Sequence, residues 1–198
     1  MKEILAWHFV GNTLRDGRTI PEDGTWLVYP GTISMCSQGY HASRNPFDAL
    51  QYAPGPVLCR VALRGDIQEA NDKLVASERM IICRMDATEL LRYFARMQAL
   101  SVIHLWDAPN IVCDYLMTGD DPRNAAAAVA ARYAGAALSA STRDARRAAR
   151  SAATGDARSA AWSAAWAAAW ATRSAATGDA AKQEFTSFVN ECFGIEEN

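Results

Sequence analysis

Gly39-Tyr40-His41-Ala42-Ser43-Arg44-Asn45-Pro46-Phe47-Asp48-Ala49-Leu50-Gln51-Tyr52-Ala53-Pro54-Gly55-Pro56, running on into Val57-Leu58-Cys59-Arg60-Val61-Ala62-Leu63, decides the fold. Its middle is a helix start. Asn45 has the short carbonyl side chain that accepts from the unpaired amides of a first helical turn, and Pro46 brings no amide needing a partner there. The helix carries Phe47, Ala49, Leu50 and Tyr52 and stops at Pro54-Gly55-Pro56. Residues 39–43 before it read as a short strand, and the apolar, β-branched run 57–63 after it as a longer one.

Working outward, residues 4–10 form an apolar run with two aromatics and predict a first strand. Residues 25–29 predict a second, ended by Pro30-Gly31. Gly65-Asp66 reads as the end of the 57–63 strand, and residues 79–84 as one more. The class is α+β: a small mixed or antiparallel β domain over residues 1–85 with one or two helices.

Asp86, with Glu89 three residues on, predicts a capping box opening a buried helix through Leu90, Leu91, Phe94, Met97, Val102 and Leu105, with His104 inside it as a structural residue. Asp107-Ala108-Pro109 breaks that helix, and residues 111–117 give one more, so 86–117 is a connecting helical segment. From Thr118-Gly119-Asp120-Asp121-Pro122 onward alanine dominates, and residues 118–198 read as an Ala-rich helical bundle. Within it Arg150-Ser151-Ala152-Ala153-Thr154-Gly155-Asp156-Ala157 recurs unchanged from Arg173 to Ala180. Thr-Gly-Asp reads as punctuation, glycine ending one helix and aspartate capping the next. Helices are expected near 122–138, 143–153, 157–176 and 180–193, with a longer helix through Gly155 or Gly178 as the alternative.

Composition narrows the functional classes. The 198 residues are 50% hydrophobic with a formal net charge of −2, which argues against binding nucleic acid through bulk charge. The most apolar stretch, residues 159–172, is too short to cross a bilayer, and the opening Met1-Lys2-Glu3-Ile4-Leu5-Ala6-Trp7-His8 lacks the apolar core of a secretion signal. A cytoplasmic protein is expected. Cys36, Cys59, Cys83, Cys113 and Cys192 are odd in number and make no CxxC pair, so mostly buried free thiols are expected and no metal site. No glycine-rich phosphate loop and no hydrolase or metalloprotease motif is present.

Three groups of residues stand out. Trp162, Trp166 and Trp170 lie four apart on one helical face, either packed against neighbouring alanine helices or exposed as a partner or self-association surface. Arg143, Arg146, Arg147 and Arg150 fall at i, i+3, i+4 and i+7, a basic stripe that is a solvated face or a contact for phosphate or an acidic protein. His41 and Ser43 share one face of the 39–43 strand and are placed to orient a ligand, and His8 on the first strand is a further ligand-binding candidate; the alternative for both histidines is a structural role.

The Gly-Tyr-His-Ala-Ser strand, the Asn45-Pro46-Phe47-Asp48-Ala49-Leu50 and Tyr52-Ala53-Pro54-Gly55 segments, the strand to Gly65 and Lys73 resemble an uncharacterised domain family of bacteriophages and bacteria with a G-[FLY]-H-A-[SC]-x-x-P-x-D-x-L-x-Y pattern. The Ala/Trp-rich tail is similar to that of its longer members. The resemblance implies a phage or prophage setting in a bacterial cytoplasm. The expected function is that of an accessory protein without a cofactor that binds a host protein or small ligand, one use being antagonism of a host defence. Self-association through the alanine helices fits the same picture. A second resemblance is to the NAD-binding core of ADP-ribosyltransferases, which has a His or Arg on an early strand, an aromatic- and Ser/Thr-bearing strand followed by a short helix, and a Glu by a later strand. It implies that His8, Tyr40, His41, Ser43 and Glu78 converge on one cleft that takes NAD. Nucleic-acid binding through the arginine stripe is the third alternative.

Overall fold

The computed structural model describes residues 3–119, 127, 130–131, 140–153, 156–172 and 175–196. The chain forms two compact units, Met1–Ala87 and Thr88–Asn198, and the fold is α+β, an antiparallel five-stranded sheet followed by helices.

In the first unit β1 is Ile4–Val10, β2 Trp26–Val28, β3 Tyr40–Ala42, α1 Pro46–Gln51, β4 Val57–Glu69 and β5 Leu74–Asp86. The Asn45 side chain caps α1 as expected, accepting from the Phe47 amide at 2.8 Å. β4 and β5 form a long antiparallel hairpin, and β1 pairs along β4 from Ile4↔Leu63 to Val10↔Val57. β2 and β3 lie one after the other along the opposite side of β5, β2 at residues 78–80 and β3 at 74–76. Past β3 the chain turns toward β1. The Trp7 amide donates to the Ser43 carbonyl at 2.7 Å, and the Ser43 amide to the Trp7 carbonyl at 2.8 Å. The sheet is thereby curled until β3 ties its two ends together. Ala6, Val10, Ala42, Cys59, Val61, Leu63, Leu74, Ala76 and Ile81 fill the core of this curl.

Gly65-Asp66 does not end β4. Both residues stand opposite Ser77 alone, with Gly65 at φ 80, so the pair is a bulge through which the strand continues for three more residues. The Ser77 hydroxyl accepts from the Asp66 amide at 2.9 Å. A second irregularity leaves Ile82 of β5 without a partner between Ile81↔Val61 and Cys83↔Arg60. β5 begins five residues before the run read from sequence, and Asp86 is its last residue rather than the opening of a helix.

In the second unit α2 is Thr88–Ser101, a 3₁₀ turn covers Ile103–Leu105, α3 is Asn110–Thr118, α4 Ala140–Ala152, α5 Ala157–Thr172 and α6 Ala175–Phe193. α3 ends at Gly119 with φ 73, the left-handed C-cap that the sequence suggests. The helices of 88–118 group with the alanine helices in this unit. Residues 127, 130 and 131 are helical; the rest of the expected 122–138 helix, the Asp121-Pro122 start and Gly155 lie outside the described residues. Phe94 of α2 packs on Phe185 of α6 at 5.0 Å between ring centroids, and Gln98 donates to Glu184 at 2.6 Å. α5 buries Ala160, Ala161, Ala164, Ala165 and Ala168, so its packing face is alanine. His104 is exposed on the 3₁₀ turn rather than inside an apolar helix.

The two copies of the octapeptide take different courses. In the first, α4 ends at Ala152 and α5 starts at Ala157; in the second, α6 begins at Ala175 and runs straight through Thr177-Gly178-Asp179. The alternative of a helix tolerating Gly178 is therefore the observed one. A Cβ on Gly178 would meet nothing within 4 Å. Gly178→Ala is accordingly expected to stabilise α6 by about 0.5–1 kcal/mol through the lower entropy cost of fixing alanine. Urea unfolding of the second unit checks this, and a destabilised variant would contradict it.

No described helix is long and apolar enough to cross a membrane. The five cysteines are unpaired, but only Cys59 is buried; Cys36, Cys83 and Cys192 are exposed. The expectation of mostly buried thiols fails because Cys36 lies on a loop, Cys83 at an outward position of β5 and Cys192 on the exposed last turn of α6. Burial pushes the Cys59 thiol up to about 12.

Candidate functional site

β3 owes its course to two residues that flank it. Gly39, at φ 102, makes a turn that side chains other than glycine rarely adopt, and Ser43 supplies the backbone pair to Trp7. Between them Tyr40 and His41 are held over a cleft of about 1050 Å³. Its walls are β1 from Trp7, the loop that follows to Arg18, residues 28–30, residues 36–43, and Tyr52, Lys73 and Arg79. Of the five residues expected to converge, His8, Tyr40, His41 and Ser43 line this cleft. Ser43 is buried, and its described contribution is the backbone bridge to Trp7.

Glu78 does not line the cleft. It pairs with Arg64 at 2.7 Å, and Arg64 lies over the Trp26 ring at 3.7 Å. In the register Glu78 faces Arg64, whereas His8 faces Cys59, five residues away along β4, or roughly 16 Å at the rise of a strand. The carboxylate that the transferase-like reading needs is thus engaged elsewhere. Sequence placed it by order along the chain, which says nothing of pairing.

The cleft is cationic. Arg15, Arg18, Lys73 and Arg79 line it against one carboxylate, Asp16, which is held by Arg18 at 2.7 Å. Arg18 also donates to the Tyr40 hydroxyl at 3.2 Å, tying its loop to β3. Arg79 is only 3% exposed. It donates to the His41 carbonyl at 2.8 Å and lies over the Tyr40 ring at 5.3 Å, and its Nε is buried without a partner. Burial pushes Arg79 down to about 10, so it still carries its charge at neutral pH.

The neighbouring imidazoles answer to that charge. His8 shares a face of β1 with Ala6 and Val10 and points into the core of the curl. Burial first, then Arg79 and His41, hold it well below 6.5. Burial and then Arg15 lower His41, with smaller contributions from Arg79 and Lys73. The His41 Nε2 accepts from the Cys36 amide at 3.0 Å, which leaves the ring proton on Nδ1.

Cys36 is the one described non-glycine residue in the left-handed region, at φ 68. Its carbonyl accepts from Arg15 at 3.3 Å, and Lys73 bonds its side chain. Lys73 also donates to the Tyr52 hydroxyl at 3.2 Å and lies 4.7 Å over that ring, while that hydroxyl donates to the Asp72 carboxylate. Sequence reasoning missed Arg79, Arg15 and Cys36 as site residues. An arginine opening an apolar strand run was the available signal for Arg79, but alternation could not show that it turns inward.

In the second unit the arginine stripe divides. Arg143, Arg147 and Arg150 are exposed, but Arg146 turns to the Ala131 carbonyl at 3.3 Å and to the Trp106 ring at 6.0 Å. The four therefore do not form one solvated face. Trp166 and Trp170 are 47% and 66% exposed, and Trp162, half-buried, stacks edge-on against Trp166 at 5.6 Å. Alanines fill the helix interface, so the indoles are left outside it. No cluster of His, Cys, Asp or Glu among the described residues is arranged to hold a metal ion.

No curated protein and no solved structure matches the chain. Residues 4–93 match the family model described as a domain of unknown function (DUF7666), which bears out the resemblance of this part of the chain to an uncharacterised domain family.

Proposed function

We propose that the protein works by binding, and that the first unit is a module whose cleft captures a small anionic ligand. The observation that supports this is the buried Arg79 guanidinium, which lines the cleft and, among the described residues, has no carboxylate paired with it. An ionised group is costly to bury unless it is paired, and such groups concentrate at functional sites. A ligand anion supplies the missing partner. In the phage-type setting that the resemblance implies, the ligand or a host protein is what the accessory protein sequesters. The exposed Trp166 and Trp170 support the partner-binding role of the helical unit, as a surface for a host protein or a second copy.

The test is a melting-temperature screen of the full chain against small anions and neutral metabolites, with Arg79→Met alongside. An anion at 100 times its dissociation constant is expected to add about 2.7 kcal/mol to the folded state, and Arg79→Met to lose that gain. A screen in which no anion shifts the melting curve, or in which Arg79→Met responds as the wild type does, sinks the reading.

A further inference from the structure

We propose that the ligand of this cleft carries two or more linked phosphates on an organic group, as a nucleoside diphosphate does. The inference rests on the proposed binding role and names the chemistry of its ligand.

The cations carry the argument. Among the described residues Arg15, Lys73 and Arg79 bond only to neutral groups: the Cys36 carbonyl at 3.3 Å, the Tyr52 hydroxyl at 3.2 Å with the Cys36 side chain, and the His41 carbonyl at 2.8 Å. Among the described residues none of the three makes an ion pair with a carboxylate, although Asp72, which shares the Tyr52 hydroxyl with Lys73, offsets part of that ammonium's charge. They also converge. All three are felt by the His41 imidazole, and Cys36, which Arg15 and Lys73 hold, donates its amide to that ring at 3.0 Å.

Their burial is graded, with Arg79 buried, Lys73 half-buried and Arg15 exposed. Positive charge therefore runs from the floor of the cleft to its rim. A single carboxylate or sulfate offsets one of these charges. A diphosphate carries two to three negative charges in a row and meets floor and rim together, and guanidinium groups suit phosphate oxygens through paired N–H donors.

Size and lining point to the organic part. A volume of about 1050 Å³ is far more than linked phosphates fill, and it lies at the upper end of the range for small-molecule sites. Tyr29, Pro30 and Tyr52 offer ring and apolar surface beside the cations. A polymer backbone fits less well, because its phosphates run along a surface, where Arg15 is within reach and Arg79 is not.

Titration calorimetry on the full chain, at fixed salt and without divalent cations, decides. The probes are inorganic phosphate, pyrophosphate, ADP, adenosine, citrate and a short single-stranded oligonucleotide, against wild type and Arg79→Met, with a melting curve to show that the variant folds. Pyrophosphate is expected to bind at least tenfold more tightly than phosphate, and ADP at least as tightly as pyrophosphate. Adenosine should not register, and Arg79→Met should weaken ADP and pyrophosphate more than tenfold. Phosphate binding as well as pyrophosphate, or adenosine as well as ADP, overturns the inference. So does an oligonucleotide that binds more tightly than ADP. If citrate binds through Arg79 and no phosphate compound does, the phosphate assignment fails while the anion-binding role stands. If no probe binds, both fail.

Discussion

Gly39→Ala is expected to destabilise the first unit by about 3 kcal/mol or more. Two costs combine. Gly39 sits at φ 102, where an L side chain is strained, worth roughly 1–3 kcal/mol. An added Cβ would also lie 2.7 Å from the Val75 Cγ2, 2.9 Å from the Ile33 Cγ2 and 3.1 Å from the Ala76 carbonyl oxygen. Val75 is fully buried and cannot step aside, and overpacking of such a site costs about 1–3 kcal/mol. Gly17→Ala separates the two terms. Gly17 is at φ 83 but faces open space, so it should show the strain alone. Hydrogen-exchange protection of the β3 and β5 amides reads both variants within the full chain. Equal losses for Gly39→Ala and Gly17→Ala would remove the packing part of the argument. The glycine that opens the Gly-Tyr-His-Ala-Ser motif is explained by this close approach: it lets β3 lie down on β5 with His41 over the cleft.

Arg79→Met should do the opposite and raise stability, by about 1–2 kcal/mol, while weakening the capture of anions more than tenfold. Replacing even a buried ion pair by well-packed apolar residues is often neutral or stabilising by about 1–4 kcal/mol, and an unpaired guanidinium carries the desolvation cost without the pair's attraction. Here the lost hydrogen bond to the His41 carbonyl and the lost contact with Tyr40 offset part of that gain. The pH dependence should change as well. His8 is held well below 6.5 in the folded state, so the unfolded chain binds its proton first. The stability tied to a neutral His8 is complete above about 6.5 and is lost as the pH falls below that toward the folded value. With Arg79 gone, the second of the causes acting on His8 disappears and burial remains, so the acid-side loss should shrink without vanishing. Urea unfolding at neutral pH and at pH 5 tests both statements. A variant less stable than wild type at neutral pH would mean that the guanidinium is a structural member of the core and not a group kept for a ligand.

The elements that declare themselves locally were legible in the sequence. The limits of β1, the Asn45 cap on α1 and the Gly119 stop of α3 each rest on a few neighbouring residues, and each stands as read. What depended on pairing was not legible. Gly65-Asp66 has the composition of a turn, and only the presence of Ser77 across the ladder makes it a bulge. Glu78 and Arg79 are adjacent in sequence; one pairs outward with Arg64 and the other turns inward to β3, a choice set by the registers of two partner strands. The repeated octapeptide makes the same point. One sequence ends a helix at Ala152 and elsewhere runs inside α6, where Ala181, Phe185 and Val189 bury the face that follows. For the site, four of the five residues assigned to one cleft line it, because His8, Tyr40, His41 and Ser43 sit on strands that β3 brings together. The charges that give the cleft its character come from loops and from a core position, where sequence pattern is least informative.

The two bulges have a consequence for how this unit meets other chains. Among the described residues, β4 over residues 64–69 has no strand partner on its β1 side, and β5 over residues 82–86 has none on its β2 side, the Ile81 carbonyl being taken by the Gly24 amide at 2.8 Å. An open edge invites strand addition from another chain, and proteins blunt it with charges and irregularities. Both edges here are blunted in that way, the first by the Gly65-Asp66 bulge with Arg64 and Glu69, the second by the unpaired Ile82 with Arg84 and Asp86. Strand addition by another chain at these edges is thus disfavoured.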